Sequence, residues 1–379
     1  MQNIYQHLEA QKEEMYAYLE EIVNKESPSH DKELVDELGS WLAKTYEKLT
    51  GGTTTIIPDD VYGNHIRGEW GSGESQILIL GHFDTIWPKG TINKRPFKVE
   101  NGKAVGPGVF DMKGGIIQGL FALKALKELN IPLNKKIVFL FDSDEEIGNP
   151  SSRELIEKEA AKSDYVFVLE PGMTEKGSLK TSRKGVGIFN VEATGLPAHA
   201  GIDPEKGVSA IHELALQILD IEGLNDFKTG TTFNVGKISG GTGSNVIPEK
   251  ASAEIDLRAK TQVEFERAIE TMLNLKPKLP GSNIKVTGGA NRGPLERTEE
   301  VISLFKTARH LAKKYILMDL TEKETGGGSD GNLTAPLAPT LDGLGAVGDG
   351  AHAHHEYLIL SEMPKRSALL AMLLATYGN

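Results

Sequence analysis

Three short runs of the chain are almost wholly apolar: Ile77-Leu78-Ile79-Leu80, Ile137-Val138-Phe139-Leu140-Phe141 and Tyr165-Val166-Phe167-Val168-Leu169. Continuous apolar runs of this length, bounded by polar and glycine-rich segments, predict strands buried on both faces. Between and around them the apolar positions change to helical spacing. Ile4, Leu8, Met15, Leu19, Ile22 and Val23 predict a helix over 1–25, and Leu34, Val35, Leu38, Trp41 and Leu42 a second. Ile116, Ile117, Leu120, Phe121, Leu126 and Leu129 predict a helix after the second glycine-rich stretch, with another near 151–162. The segments 53–57 and 64–70 are β-prone. Strands alternating with helices imply a largely parallel sheet covered on both faces.

The pattern changes after residue 183. A partly alternating strand at 185–194, a helix at 205–219, strands at 231–238 and 251–259, a helix at 262–275 and a strand at 283–288 follow in turn. This β-α-β-β-α-β order is the ferredoxin-like arrangement. The expected fold is therefore α/β with an inserted α+β domain: residues 1–183 and 292–379 form the first domain and 184–291 the insertion. Helices at 299–315 and 364–376, with a glycine-rich loop at 326–331 and a longer loop at 342–356, complete the first domain.

Composition narrows the class. A length of 379 residues suits two domains. Hydrophobic residues at 39% and charged residues at 25% suit a globular protein. No apolar run approaches the roughly 20 residues of a membrane helix. The start, Met1-Gln2-Asn3-Ile4-Tyr5, lacks a basic segment leading into an apolar one, and a cytoplasmic location is expected. A net charge of −11 argues against nucleic acid or an anionic membrane as partner. With no cysteine in the chain, a metal ion would have to be held by His, Asp and Glu.

Such residues stand where the strands end. His82 and Asp84 follow the first run, Glu145 and Glu146 the second, and Glu170 the third. In a parallel sheet those ends share one edge, where open α/β sheets bind ligands. Alternation places His82 and Asp84 on one side, so that the carboxylate can orient the imidazole. Asp111 lies in a loop whose glycines, Gly106, Gly108, Gly114 and Gly115, permit tight turns. Carboxylates crowded together repel unless a cation separates them. A late loop adds His352, His354 and His355. Histidines with several carboxylates suit two zinc ions bridged by a carboxylate. Of the adjacent pair Glu145 and Glu146, one can bind metal while the other acts as general base toward a water. Each residue also has a plain reading: Glu145 and Glu146 as a solvated turn, Glu170 as a strand terminator, Asp111 as a helix cap, the histidines as loop residues.

The strings GHFDT, GPGVFDMKGG, DSDEEIG, EP, GLPAHAG, TGGGSDGN and AHAHHEY, in that order, resemble the glutamate carboxypeptidase (carboxypeptidase G-type) group of the di-zinc exopeptidase and aminoacylase family. The resemblance spans nearly the whole chain. It implies two Zn2+ per chain, other divalent metals being possible, with His82 and Glu170 on separate zincs, Asp111 bridging, and Glu146 and His352 as the remaining ligands. His354 is the alternative if the loop register shifts. It further implies Asp84 behind His82, Glu145 as general base, and a cis peptide after Asp111. In the insertion it implies His199 as the donor to the scissile carbonyl, often in the partner subunit's site, and Asn245 and Arg258 as substrate-binding residues. Arginine can clamp a carboxylate through two hydrogen bonds. The expected activity is hydrolysis of an amide next to a free carboxylate in a small peptide or N-acyl amino acid, releasing a glutamate-like residue. The insertion is expected to serve as lid and to join a homodimer. A deacylase of N-acyl amino acids or a dipeptidase would use the same metal chemistry. A non-catalytic peptide- or metal-binding relative and a di-metal phosphoesterase are the more distant readings.

Overall fold

The computed structural model describes residues 1–379. Met1–Thr181, Arg297–Glu324 and Ser329–Asn379 form one compact unit, and Ser182–Glu296 with Thr325–Gly328 the other.

In the first unit every residue of the strand Gln76–His82 is buried. Its side chains divide by parity. Ile77 and Ile79 join one apolar cluster with Ile137, Phe139, Phe141 and Phe167, against the helices Lys32–Thr50, Gly114–Glu128 and Met363–Tyr377. Leu78 and Leu80 join another with Val138, Leu140, Val166 and Val168, against Ile156 and Ala160 of the helix Arg153–Ala160. Two apolar faces explain the unbroken hydrophobic runs. The strands run in the order Thr53–Ile57, His65–Trp70, Lys136–Asp142, Gln76–His82, Ser163–Val168, Thr340–Leu341. The last four are mutually parallel and the first two antiparallel. His82, the residues after Asp142 and the residues after Val168 therefore emerge at one edge. Phe139 is fully buried and stacks on Phe141 with ring centroids 4.0 Å apart. Phe139→Ala is expected to cost about 3–5 kcal/mol, read as a lowered urea midpoint for the first unit.

A small antiparallel sheet of Lys98–Glu100, Lys103–Val105, Gly348–Asp349 and Tyr357–Ile359 lies outside what the apolar pattern predicts. Its strands are two or three residues long, too short for a periodicity signal. The expected single helix at 1–25 is two, Ile4–Ala10 and Lys12–Val23, parted at Gln11. No helix is long and apolar enough to cross a membrane.

The second unit is a four-stranded antiparallel sheet in the order Thr232–Gly240, Lys250–Ala259, Gly185–Thr194, Asn283–Arg292. Phe189, Val191, Ala193, Ala253, Ile255 and Leu257 face Leu214 and Ile221 of the helix Ala210–Gly223, and Phe265 and Ala268 of the helix Gln262–Leu273. The first of these helices begins later than the expected 205. Ser209 caps it by accepting from the His212 N–H, and Gly207 just before is extended.

Candidate metal centre

The sheet edge gathers the predicted residues of the first unit. His82 is buried at the end of its strand, with Nε2 3.3 Å from Asp111 Oδ1 and 3.7 Å from Glu170 Oε1. His352, half-exposed on its loop, lies with Nε2 2.9 Å from Glu146 Oε2 and 3.5 Å from Asp111 Oδ2. The two oxygens of Asp111 are thus shared between two imidazoles. His354 instead rests its ring on Trp87, centroids 5.7 Å apart.

Local backbone chemistry puts Asp111 there. Gly106 and Gly108 have φ of +155° and +71°, the second in the left-handed region, and the Asp111–Met112 peptide is cis, as the resemblance implies. Close approach also matters. A Cβ on Gly115 would lie 2.2 Å from the Leu169 carbonyl oxygen, and one on Gly345 2.0 Å from the same atom. Glycine at both positions lets two segments close on the strand end that carries Glu170. Gly345 also donates its N–H to the Glu170 carbonyl at 2.9 Å.

Asp84 organises the other side. It is fully buried and accepts from the Ser29 hydroxyl at 2.7 Å and from the backbone N–H groups of Glu145 and Glu146, both at 3.2 Å. Its Oδ1 lies 3.4 Å from His82 Nδ1, which also contacts the Asp84 carbonyl at 3.1 Å. The carboxylate therefore orients the imidazole and fixes the turn that presents Glu145 and Glu146.

Buried carboxylates and imidazoles crowd here and shift one another. Burial, with the neighbouring Asp111 carboxylate, pushes the Glu146 carboxyl up to about 8 against the pull of His352. The Glu146 contact in turn raises His352 to about 9. Burial presses His82 down, yet Asp111 and Asp84 lift it well above its ordinary value. A cation bound between such a carboxylate and imidazole would displace the proton they share.

Could these residues hold a metal? Ligand atoms of His82, Asp111 and Glu146 lie within 4.8 Å of one another, as do those of His82, Glu145 and Glu170. The donors are imidazole nitrogens and carboxylate oxygens, a set that fits a divalent ion of the zinc type. Glu145 belongs by distance to the second group, so geometry alone offers it both as ligand and as base.

In the second unit, His199 pairs through its backbone with Val246, and the Ala200 N–H donates to the Asn245 carbonyl at 2.9 Å. The exposed His199 ring accepts the Gly201 N–H at Nδ1, 3.1 Å away. Arg258 is engaged within its own strand. Its Nε and Nη2 donate to the two oxygens of Asp256 at 2.8 and 2.9 Å, and Nη1 to the Gly326 carbonyl at 3.2 Å.

Three contributors carry no signal in the residue pattern. Lys180, almost buried, stands 3.5 Å from Glu170 Oε2. Arg366 is fully buried, its pKa lowered to about 10 by burial, and donates to the carbonyls of Gly345, Gly177 and Gly343. Glu356 is fully buried against the Asp111 turn. Of these only Glu356 falls inside a quoted string, AHAHHEY, where the histidines draw attention first.

A buried sheet edge with two imidazoles, shared carboxylates and no thiol is the centre of a metal-dependent hydrolase, and comparison with known proteins agrees. The chain belongs to the Peptidase family M20/M25/M40, whose model matches residues 78–376, and it is a hydrolytic metallo-exopeptidase. It is similar to carboxypeptidase G2 of Pseudomonas sp. (strain RS-16), 32% identical across 95% of this chain and 88% of that protein. It is also similar to succinyl-diaminopimelate desuccinylase of Dechloromonas aromatica (strain RCB), 27% identical across 82% of this chain and 86% of that one. Among solved structures, the aminopeptidase PepT of Bacillus cereus ATCC 10987 shares the fold, with a TM-score of 0.78 at 23% identity over 97% of this chain and 99% of that one.

Proposed function

We propose that the protein uses two zinc ions to hydrolyse the amide bond next to a free α-carboxylate, releasing a C-terminal glutamate-like amino acid. The observation that carries the two-cation part of this reading is the division of the Asp111 oxygens between His82 at 3.3 Å and His352 at 3.5 Å. The glutamate-like product is supported by the similarity to carboxypeptidase G2. The resemblance implies separate cations for His82 and Glu170, but Glu170 Oε1 lies only 3.7 Å from His82 Nε2, so we assign both to one cation. Glu146 and His352 would hold the other, with Asp111 shared and Asp84 steadying His82. Two cations there would polarise the scissile carbonyl and acidify the attacking water. Glu145 takes a proton from that water and passes it to the leaving amine nitrogen.

His199 is assigned to the carbonyl oxygen. Because its Nδ1 accepts the Gly201 N–H, the proton of the neutral ring sits on Nε2, where it can donate as the oxygen gains charge. Arg258 is assigned to the substrate carboxylate, which would take the place now held by Asp256, and Asn245 to substrate contacts beside it. The homodimer is assigned to the second unit. Its edge strand Thr232–Gly240 exposes Ile238, 61% accessible, and the adjoining backbone, a pairing edge that a second copy can cover.

The similarity to desuccinylases keeps N-acyl-amino-acid deacylation as the second reading. Hydrolysis of an aroyl-glutamate, an N-succinyl amino acid and a dipeptide, each with its carboxylate free or amidated, separates the two. The aroyl-glutamate is expected to be cleaved best. Amidation should lower kcat/KM by about tenfold or more, in keeping with the loss of a charged hydrogen-bonded pair, and Arg258→Ala should erase that difference. Equal cleavage of free and amidated substrates would sink the assignment of Arg258.

A further inference from the structure

Glu356 follows the histidine loop and immediately precedes the strand Tyr357–Ile359, whose register sets Tyr357 opposite Val105. That pairing lays Glu356 beside the turn that starts at Gly106. Its carboxylate accepts four hydrogen bonds: from the N–H of Gly108 at 3.1 Å and Trp87 Nε1 at 2.9 Å on Oε2, and from the N–H of Phe110 at 3.0 Å and Asp111 at 3.2 Å on Oε1. Two ionised oxygens offer about four acceptor sites, so these donors fill the group. The donors come from two different loops. Trp87 belongs to the segment that carries His82 and Asp84, and Gly108, Phe110 and Asp111 to the turn that carries the shared carboxylate. Glu356 itself continues the loop of His352.

We propose that Glu356 is a positioning residue for the metal centre: one buried carboxylate straps together the three segments that carry His82, Asp111 and His352. It touches neither substrate nor cation. Its effect passes through the Asp111 backbone, whose N–H it holds directly. Cation ligands are held to their spacing by such outer hydrogen bonds, and losing one typically costs about 10–100-fold in metal affinity. Glu356→Gln keeps the shape but turns one oxygen into an amide N–H2 facing backbone donors, leaving buried N–H groups without an acceptor. Trp87→Phe keeps the carboxylate and its three backbone bonds, removes the indole donor of the His82 segment, and leaves a smaller aromatic face for the His354 ring.

The inference rests on the proposed ligand set, and the test keeps the two apart. Metal-stripped wild type, Glu356→Gln and Trp87→Phe are titrated with Zn2+ against a chromogenic chelator, with the thermal midpoint of each stripped protein measured in parallel. The visible bands of the Co2+-loaded proteins report coordination directly. We expect zinc affinity about 10–100-fold weaker in Glu356→Gln, a smaller loss in the same direction in Trp87→Phe, and shifted Co2+ bands in both. A folded Glu356→Gln that binds zinc within about twofold of wild type, with unshifted Co2+ bands, would overturn the proposal and leave Glu356 a support of the fold alone. Should Glu356→Gln not fold, Trp87→Phe decides: weaker zinc binding supports the strap and unchanged binding refutes it. Wild type that binds no zinc would remove the ligand set and the strap together.

Discussion

Glu145→Gln is expected to keep the zinc content of the wild type and to lose about 10²–10⁴-fold in kcat, the usual contribution of a positioned general base. The expectation comes from how the turn is held. Asp84 takes the backbone N–H of Glu145 on one oxygen and that of Glu146 on the other, both at 3.2 Å. The two side chains then leave a fixed backbone in different directions. Glu146 meets His352 at 2.9 Å, while Glu145 has its oxygen within 4.8 Å of the ligand atoms of His82 and Glu170. Glutamine preserves the size and one acceptor of Glu145 but cannot take up a proton at neutral pH. Elemental analysis and single-turnover hydrolysis, made on the same preparation, distinguish three outcomes. Full zinc with lost turnover supports the base. Loss of one zinc would make Glu145 a ligand, as its distance to His82 and Glu170 allows. Full zinc with full turnover would remove Glu145 from the mechanism.

The sequence was most informative where chemistry coincides with the ends of buried strands. His82, Glu145, Glu146 and Glu170 follow runs whose parity fills two apolar clusters, and a parallel sheet delivers such ends to one edge. The family frame prefers His352 over His354 but no apolar period does, because the choice depends on a left-handed His352, at φ +62°, and on a tryptophan far away that receives the other ring. Glu356, Lys180 and Arg366 were invisible for a related reason. Glu356 and Arg366 act on backbone groups far along the chain and Lys180 on a carboxylate ten residues away, and no hydrophobic period marks a side chain with such partners. The small sheet that places Glu356 is equally silent, its strands of two or three residues being too short to show an alternation.

Asp111→Asn carries the second large effect, because one residue serves both halves of the centre. Oδ1 faces His82 Nε2 and Oδ2 faces His352 Nε2. An asparagine supplies one oxygen and one N–H2, and an N–H2 group cannot ligate a cation. At most one side keeps its donor. The expected result is loss of at least one of the two zinc ions and activity near or below about 1% of wild type, as when a two-metal clamp is opened. The same change reads out without catalysis. A cation that binds only the folded chain stabilises it by about 2.7 kcal/mol at a free concentration one hundred times its Kd. Added zinc should therefore raise the thermal midpoint of metal-stripped wild type and raise that of metal-stripped Asp111→Asn much less. Strong chelation should bring the wild type down to its stripped midpoint and abolish hydrolysis, with zinc restoring both. If Asp111→Asn bound two zinc ions as firmly as wild type, the shared oxygens would be a packing arrangement between two imidazoles. The centre would then have to be rebuilt from the group formed by His82, Glu145 and Glu170, in which Asp111 takes no part.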